Sequence, residues 1–114
     1  MMRYGLKEFS VPAGKKVKFL LLNPDNMPHN LVLTAVGALE EVGLLADKSA
    51  ADPKFVERHY VPDSRKVLFA TEMVDDHSQA ILEFVAPDKP GDYPFLCTFP
   101  GHWRLMQGVM KVIP

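Results

Sequence analysis

A chain of 114 residues, 47% hydrophobic and 24% charged, is long enough for one core and short for two, so a single domain over residues 1–114 is expected. Thirteen basic against fourteen acidic side chains leave a formal charge of -1, without the basic footprint that nucleic-acid phosphates require, and apolar runs such as Phe19-Leu20-Leu21-Leu22 fall far short of the ~20 residues that cross a bilayer. No nucleic-acid partner and no membrane-spanning segment are expected, and the single cysteine excludes an internal disulfide, a CxxC redox pair and any centre built on several thiolates.

The opening Met1-Met2-Arg3-Tyr4-Gly5-Leu6-Lys7-Glu8 lacks the apolar stretch of a signal peptide, and its doubled methionine reads as an initiator before an excised or mature domain. Leu6-Lys7-Glu8-Phe9-Ser10-Val11 is the first predicted strand. After the turn-like Pro12-Ala13-Gly14, Val17, Phe19 and Leu21 alternate onto one face of a second, which Asn23-Pro24-Asp25-Asn26 stops. Asn30–Thr34 is a third. From Ala38 to Lys48 the period changes: Leu39, Val42, Leu45 and Ala46 recur at three- and four-residue intervals opposite Glu40, Glu41 and Asp47, which predicts a helix. A second short helical turn follows, with Asp52 capping and Pro53 at the first helical position. Strands return at Lys66–Thr71, at Gln79–Val85 with Ala80, Leu82 and Phe84 inward, at Tyr93–Cys97 behind the turn cluster Pro87–Asp92, and at Val109–Ile113. Short strands divided by Pro, Gly and Asp turns argue for a sandwich or barrel, with a partly helical insertion at about 37–64 packed over one side.

Special chemistry concentrates near the end of the chain. Cys97-Thr98-Phe99-Pro100-Gly101-His102-Trp103-Arg104-Leu105-Met106 puts a thiolate, an imidazole and a thioether on one loop between two predicted strands, and a second imidazole, His29, stands upstream in Asn26-Met27-Pro28-His29-Asn30. One thiolate, two imidazoles and a weak thioether suit an electron-transfer copper: the sulfurs favour Cu(I) and the imidazoles tolerate Cu(II). Zinc accepts the first three but gains little from a thioether, so Met106 is the discriminating member.

Those two segments resemble the copper-binding segments of the azurin and auracyanin branch of the cupredoxins. The likeness extends to Val11-Pro12-Ala13-Gly14-Lys15-Lys16-Val17 and to Gly91-Asp92-Tyr93-Pro94-Phe95, and the loop spacing resembles azurin rather than plastocyanin. The resemblance implies an all-β Greek-key β-sandwich binding one type 1 copper, with His29, Cys97 and His102 as strong equatorial ligands and Met106 as the weak axial one. It also places Asn30 and Thr98 where hydrogen bonds tie the ligand segments together. Pro28 stands where azurins commonly have a glycine whose carbonyl is a distant fifth ligand, and the azurin disulfide is absent. Also implied are an exported or periplasmic setting and a redox protein partner, such as a c-type cytochrome or a dehydrogenase.

Other residues have plainer readings. Met110 belongs to the core of the last strand, Met27 packs around the site, and His59 and His77 are surface or locally bonded. Trp103 either enlarges a docking face or folds back over its own loop, and Arg104 either steers an acidic partner or solubilises the loop. Catalysis within the chain is not expected: Leu96 and Thr98, not histidines, flank Cys97, and His59 and His77 are too few for a trinuclear cluster. The expected function is a one-electron carrier cycling Cu(I)/Cu(II). The alternatives are a cupredoxin domain feeding a fused haem or dehydrogenase unit, and a copper-binding module without a carrier role.

Overall fold

The computed structural model describes residues 7–24 and 26–114, which form seven strands and two helices. The strands are β1 (Glu8–Pro12), β2 (Lys16–Leu22), β3 (Val32–Thr34), β4 (Val67–Ala70), β5 (Gln79–Val85), β6 (Gly91–Leu96) and β7 (Gln107–Ile113), and the helices α1 (Leu39–Ser49) and α2 (Pro53–Glu57) lie between β3 and β4. Both helices stand where the sequence predicts them. Asp52 Oδ1 accepts from the Lys54 amide (3.0 Å) and Pro53 opens α2, so the cap and the proline play the parts their spacing implied. Leu6, the first residue of the expected opening strand, lies outside the described residues.

One sheet has the order β1-β7-β6-β3-β4 and the other pairs β2 with β5, an all-β sandwich with the expected insertion on top. β1 runs parallel to β7, so the beginning and end of the described chain are fastened together, while β2 and β5 pair antiparallel from Lys16–Val85 to Leu22–Gln79.

The central strands β3 and β6 are buried on both faces, and neighbouring residues serve opposite sides. Leu33 and Phe95 face the sandwich interior, where they join Val17, Leu21, Phe84, Met110 and Val112. Val32 and Leu96 face the other way and pack with Ala38, Val42 and Trp103 beneath the insertion. The insertion, chiefly α1, therefore covers apolar surface that a two-sheet sandwich would leave wet, which is why this segment exceeds a hairpin in length. Phe9, Phe19 and Phe95 meet at ring-centroid distances of 5.5, 5.8 and 6.4 Å, closing the interior between the sheets, and Met110 is fully buried there.

Against that cluster β7 carries Gly108 opposite Phe95, and a Cβ there would lie 2.3 Å from the Phe95 ring and 2.5 Å from the Lys7 carbonyl. The second neighbour is backbone and cannot swing aside. Gly108→Ala is expected to cost about 1–3 kcal/mol of stability by overpacking, read as a lower urea midpoint at unchanged m-value.

Candidate metal centre

The segment carrying His29 enters from the end of β2 and is held by Asn23, whose Nδ2 lies 2.8 Å from the Met27 carbonyl, 2.9 Å from that of Val74 and 3.0 Å from that of Asp75. His29 and Val74 then exchange both backbone bonds (3.0 and 2.7 Å), an isolated bridge that brings the imidazole to the end of the sandwich. The expected strand at Asn30 begins only at Val32. Leu31 instead bonds Thr71, its amide donating to Thr71 Oγ1 (2.9 Å) and its carbonyl accepting from the Thr71 amide (2.9 Å).

The other segment leaves β6 at Cys97 and returns into β7 after Met106. It closes on itself: the Cys97 amide donates to the Met106 carbonyl (3.0 Å), the His102 amide to the Phe99 carbonyl (3.0 Å) and the Met106 amide to the His102 carbonyl (2.9 Å). Four buried side chains result. His29, Cys97, His102 and Met106 are all 3% exposed or less.

Of these, His29, Cys97 and His102 each bring one donor atom to a cluster within 4.8 Å, with Cys97 Sγ 3.7 Å from His102 Nδ1. One thiolate and two imidazoles fit copper or zinc, and the all-nitrogen-and-sulfur donor set does not suit magnesium or calcium. Met106 lies on the same loop and belongs to the same buried cluster as Cys97. Pro28 is half-buried beside His29.

Asn30 and Thr98 join the two ligand segments, as the sequence suggested. The Thr98 amide donates to Asn30 Oδ1 (2.8 Å), and Asn30 Nδ2 donates to Thr98 Oγ1 (2.9 Å). Both residues reach further, to a turn that sequence reading did not find. Asn30 Nδ2 also donates to the His59 carbonyl (3.0 Å), and the Thr98 hydroxyl donates to the Tyr60 carbonyl. His59 and Tyr60 have φ of 57° and 61°, consecutive left-handed residues without glycine, a conformation that costs of order 1–3 kcal/mol at each. The Tyr60 amide on the Phe55 carbonyl (2.8 Å), the Met73 amide on His59 Nδ1 (3.2 Å) and ring contacts of Tyr60 with Phe55 and Phe99 hold the turn. Its contribution is two backbone carbonyls, which leave no mark in residue type. The one available clue was that a buried Asn and Thr need acceptors.

His59 is thus locally bonded, as expected. Met27 differs from expectation: it is 42% exposed, and what it supplies is the carbonyl that Asn23 engages. Trp103 folds back rather than forming a docking face. It is buried against the insertion, with Nε1 donating to Asp47 Oδ2 (3.2 Å), and Arg104 pairs with the same carboxylate oxygen (3.1 Å).

Comparison with known proteins agrees with this geometry. The family model for copper-binding proteins of the plastocyanin/azurin family matches residues 1–113. Auracyanin-B of Chloroflexus aurantiacus is 31% identical over 99% of this chain and 48% of its own length, and outer membrane protein H.8 of Neisseria gonorrhoeae is 34% identical over 98% of this chain and 62% of its own. The chain therefore spans about half to two thirds of these relatives. The structure of auracyanin A, a blue copper protein from Chloroflexus aurantiacus, superposes with a TM-score of 0.86 at 26% identity, covering 99% of this chain and 90% of that one.

Burial has an electrostatic consequence. Removal from water pushes the Cys97 thiol up from 9.0 to about 11, against the backbone hydrogen bonds from Asn30 and Phe99, which favour the thiolate. The metal-free site holds a neutral thiol at neutral pH, and a bound cation has to displace its proton. Because the folded pKa lies above the unfolded one, this group's contribution to stability is fully present below pH 9 and is lost as pH rises to about 11. Metal-free protein is expected to lose about 2 kcal/mol over that window relative to Cys97→Ala, as measured by urea unfolding of both at a series of pH values.

Proposed function

We propose that this chain, which belongs to the plastocyanin/azurin family of copper-binding proteins, is a type 1 copper electron carrier with His29, Cys97 and His102 as its strong ligands and Met106 as its weak one. The observation that carries the reading is the convergence of one buried thiol and two buried imidazoles from segments far apart in sequence. Bound copper would supply a one-electron couple between Cu(I) and Cu(II).

The residues do the rest. Cys97 would have to give up its proton to the solvent to hold a cation, and its thiolate charge would then offset that of the metal in a buried site. His29 is held by its backbone exchange with Val74, and His102 by the closed turn that also carries Met106. Asn30 and Thr98 keep the two segments in register. Ligands held this firmly move little when charge changes, which is the requirement for rapid single-electron transfer, and no substrate bond is made or broken. In this reading residues 1–114 act as one domain in an exported setting, a placement supported by the family and by the name of the H.8 relative. The partner is a redox protein, such as a c-type cytochrome or a dehydrogenase. Among the described residues no helix is long and apolar enough to cross a membrane.

Cu(II) added to metal-free protein is expected to produce an intense thiolate-to-copper absorption toward the red end of the visible, absent from Cys97→Ser. Met106→Leu is expected to keep the band and move the reduction potential, since a weakly held thioether would tune the couple without carrying the charge-transfer transition. A colourless Cu(II) complex of the unmutated protein would overturn the type 1 reading, and an unmoved potential in Met106→Leu would remove Met106 from the ligand set.

A further inference from the structure

Trp103 is the chain's single tryptophan and stands between His102 and Met106 in the ligand loop. Its ring lies on α1 at Gly43, where an added Cβ would meet three ring carbons at 2.3, 2.5 and 2.6 Å. A glycine inside a helix is less favourable than alanine, so α1 gives up helix stability at the position where the ring is seated. One turn further along the helix, Asp47 Oδ2 accepts from the indole Nε1 (3.2 Å). Arg104 covers the ring, its guanidinium carbon 4.6 Å from the ring centroid, and pairs with the same Asp47 oxygen at 3.1 Å. Gln107 Nε2 then donates to the carbonyls of Trp103 (3.3 Å) and Arg104 (3.2 Å), binding the backbone under the ring into the start of β7. The Arg104–Asp47 pair is half-exposed and worth little alone, so the fastening rests on the packed, hydrogen-bonded indole.

We propose that Trp103 is a positioning residue of the copper centre: seated on Gly43 and tied to Asp47, it pins the middle of the His102–Met106 turn to α1 and so limits ligand movement between oxidation states. The inference rests on the copper-carrier reading above. It assigns the helical insertion a part in the site beyond covering the sheet, and it makes Gly43 and Asp47 determinants of electron-transfer rate although both lie on α1, outside the two ligand segments.

The test uses the full chain with Gly43→Ala, Asp47→Ala, Asp47→Asn and, as a control on the exposed side of the same helix, Leu44→Ala. In metal-free protein, Gly43→Ala is expected to shift the Trp103 fluorescence to the red and to speed alkylation of buried Cys97 by iodoacetamide, at fixed pH, about tenfold through local opening of the loop. In copper-loaded protein the thiolate band is expected to persist while electron self-exchange slows about tenfold, because the ligands are less firmly held. Asp47→Ala is expected to change both rates in the same directions by about threefold, and Asp47→Asn, which keeps an acceptor for the indole N–H, to restore most of the loss. Leu44→Ala is expected to change neither rate. Should Gly43→Ala fail to fold, the Asp47 pair decides. A purely structural role would lower the urea midpoint without altering self-exchange in the folded protein, and that result, or equal effects from Leu44→Ala, overturns the proposal. An unmutated protein that binds Cu(II) without the thiolate band would instead remove the carrier reading, and the metal-free alkylation series would still decide whether Trp103 pins the loop.

Discussion

Two hydrogen bonds between Asn30 and Thr98 join segments that stand 68 positions apart, and each residue is adjacent in sequence to a ligand of the candidate metal centre. Cys97 and His29 come from segments far apart in the sequence, so their meeting depends on a link that fixes distance and direction together. A side-chain amide facing an amide N–H and a hydroxyl does this, since the geometry satisfies both donors in one arrangement. All the participants are fully buried, which makes slippage costly: a displaced Asn30 would leave the Thr98 amide without water or protein to replace it. The sandwich thus delivers the two segments to one end, and this link decides how they face each other.

The same link explains the strained turn at His59 and Tyr60. A carboxamide and a hydroxyl that have spent part of their capacity on each other still carry donors, and those donors need acceptors in a dry place. Backbone carbonyls at the close of the insertion fill that need, but only if the chain turns through two left-handed residues to present them. The strain is held by aromatic contacts, with Tyr60 between Phe55 of α2 and Phe99 of the ligand loop. The insertion therefore grips the segments of His29 and Cys97, through its final turn and through the seat that α1 offers Trp103, while its apolar residues cover Val32 and Leu96.

What could be read from the sequence follows from how each feature is encoded. β5 spans the residues its alternation marks, and α2 begins at its marked cap, because period and capping are local properties of a few side chains. The cluster of His29, Cys97 and His102 was legible because thiolate and imidazole are rare side chains whose spacing carries their chemistry. The parallel pairing of β1 with β7 was not, since nothing in either strand identifies a partner a hundred positions away. Nor was the direction of Trp103. An indole beside a metal-binding histidine is consistent with a docking face or a buried seat, and the deciding residue is Gly43, whose meaning lies in a side chain it lacks. His59 and Tyr60 act through main-chain carbonyls, which every residue has, so their identity could not announce them.

The Cys97 thiol shows what this construction requires of the protein. A cysteine that is an exposed nucleophile keeps its thiolate accessible to water, whereas here burial pushes the proton on harder, to about 11. A site shaped around the thiolate in the absence of metal would face an unbalanced buried charge, and holding a neutral thiol avoids that penalty until a cation arrives. The scaffold can therefore be assembled in nearly final form without its metal, provided that the stiffness comes from elsewhere. It comes from the Asn30–Thr98 link, the closed 97–106 turn and the seat of Trp103, none of which uses a metal ligand's donor atom. In the proposed carrier, rigidity supplied from outside the donor set would let the same side chains serve two oxidation states, because the metal's own preferences would then have little leverage on where those side chains stand.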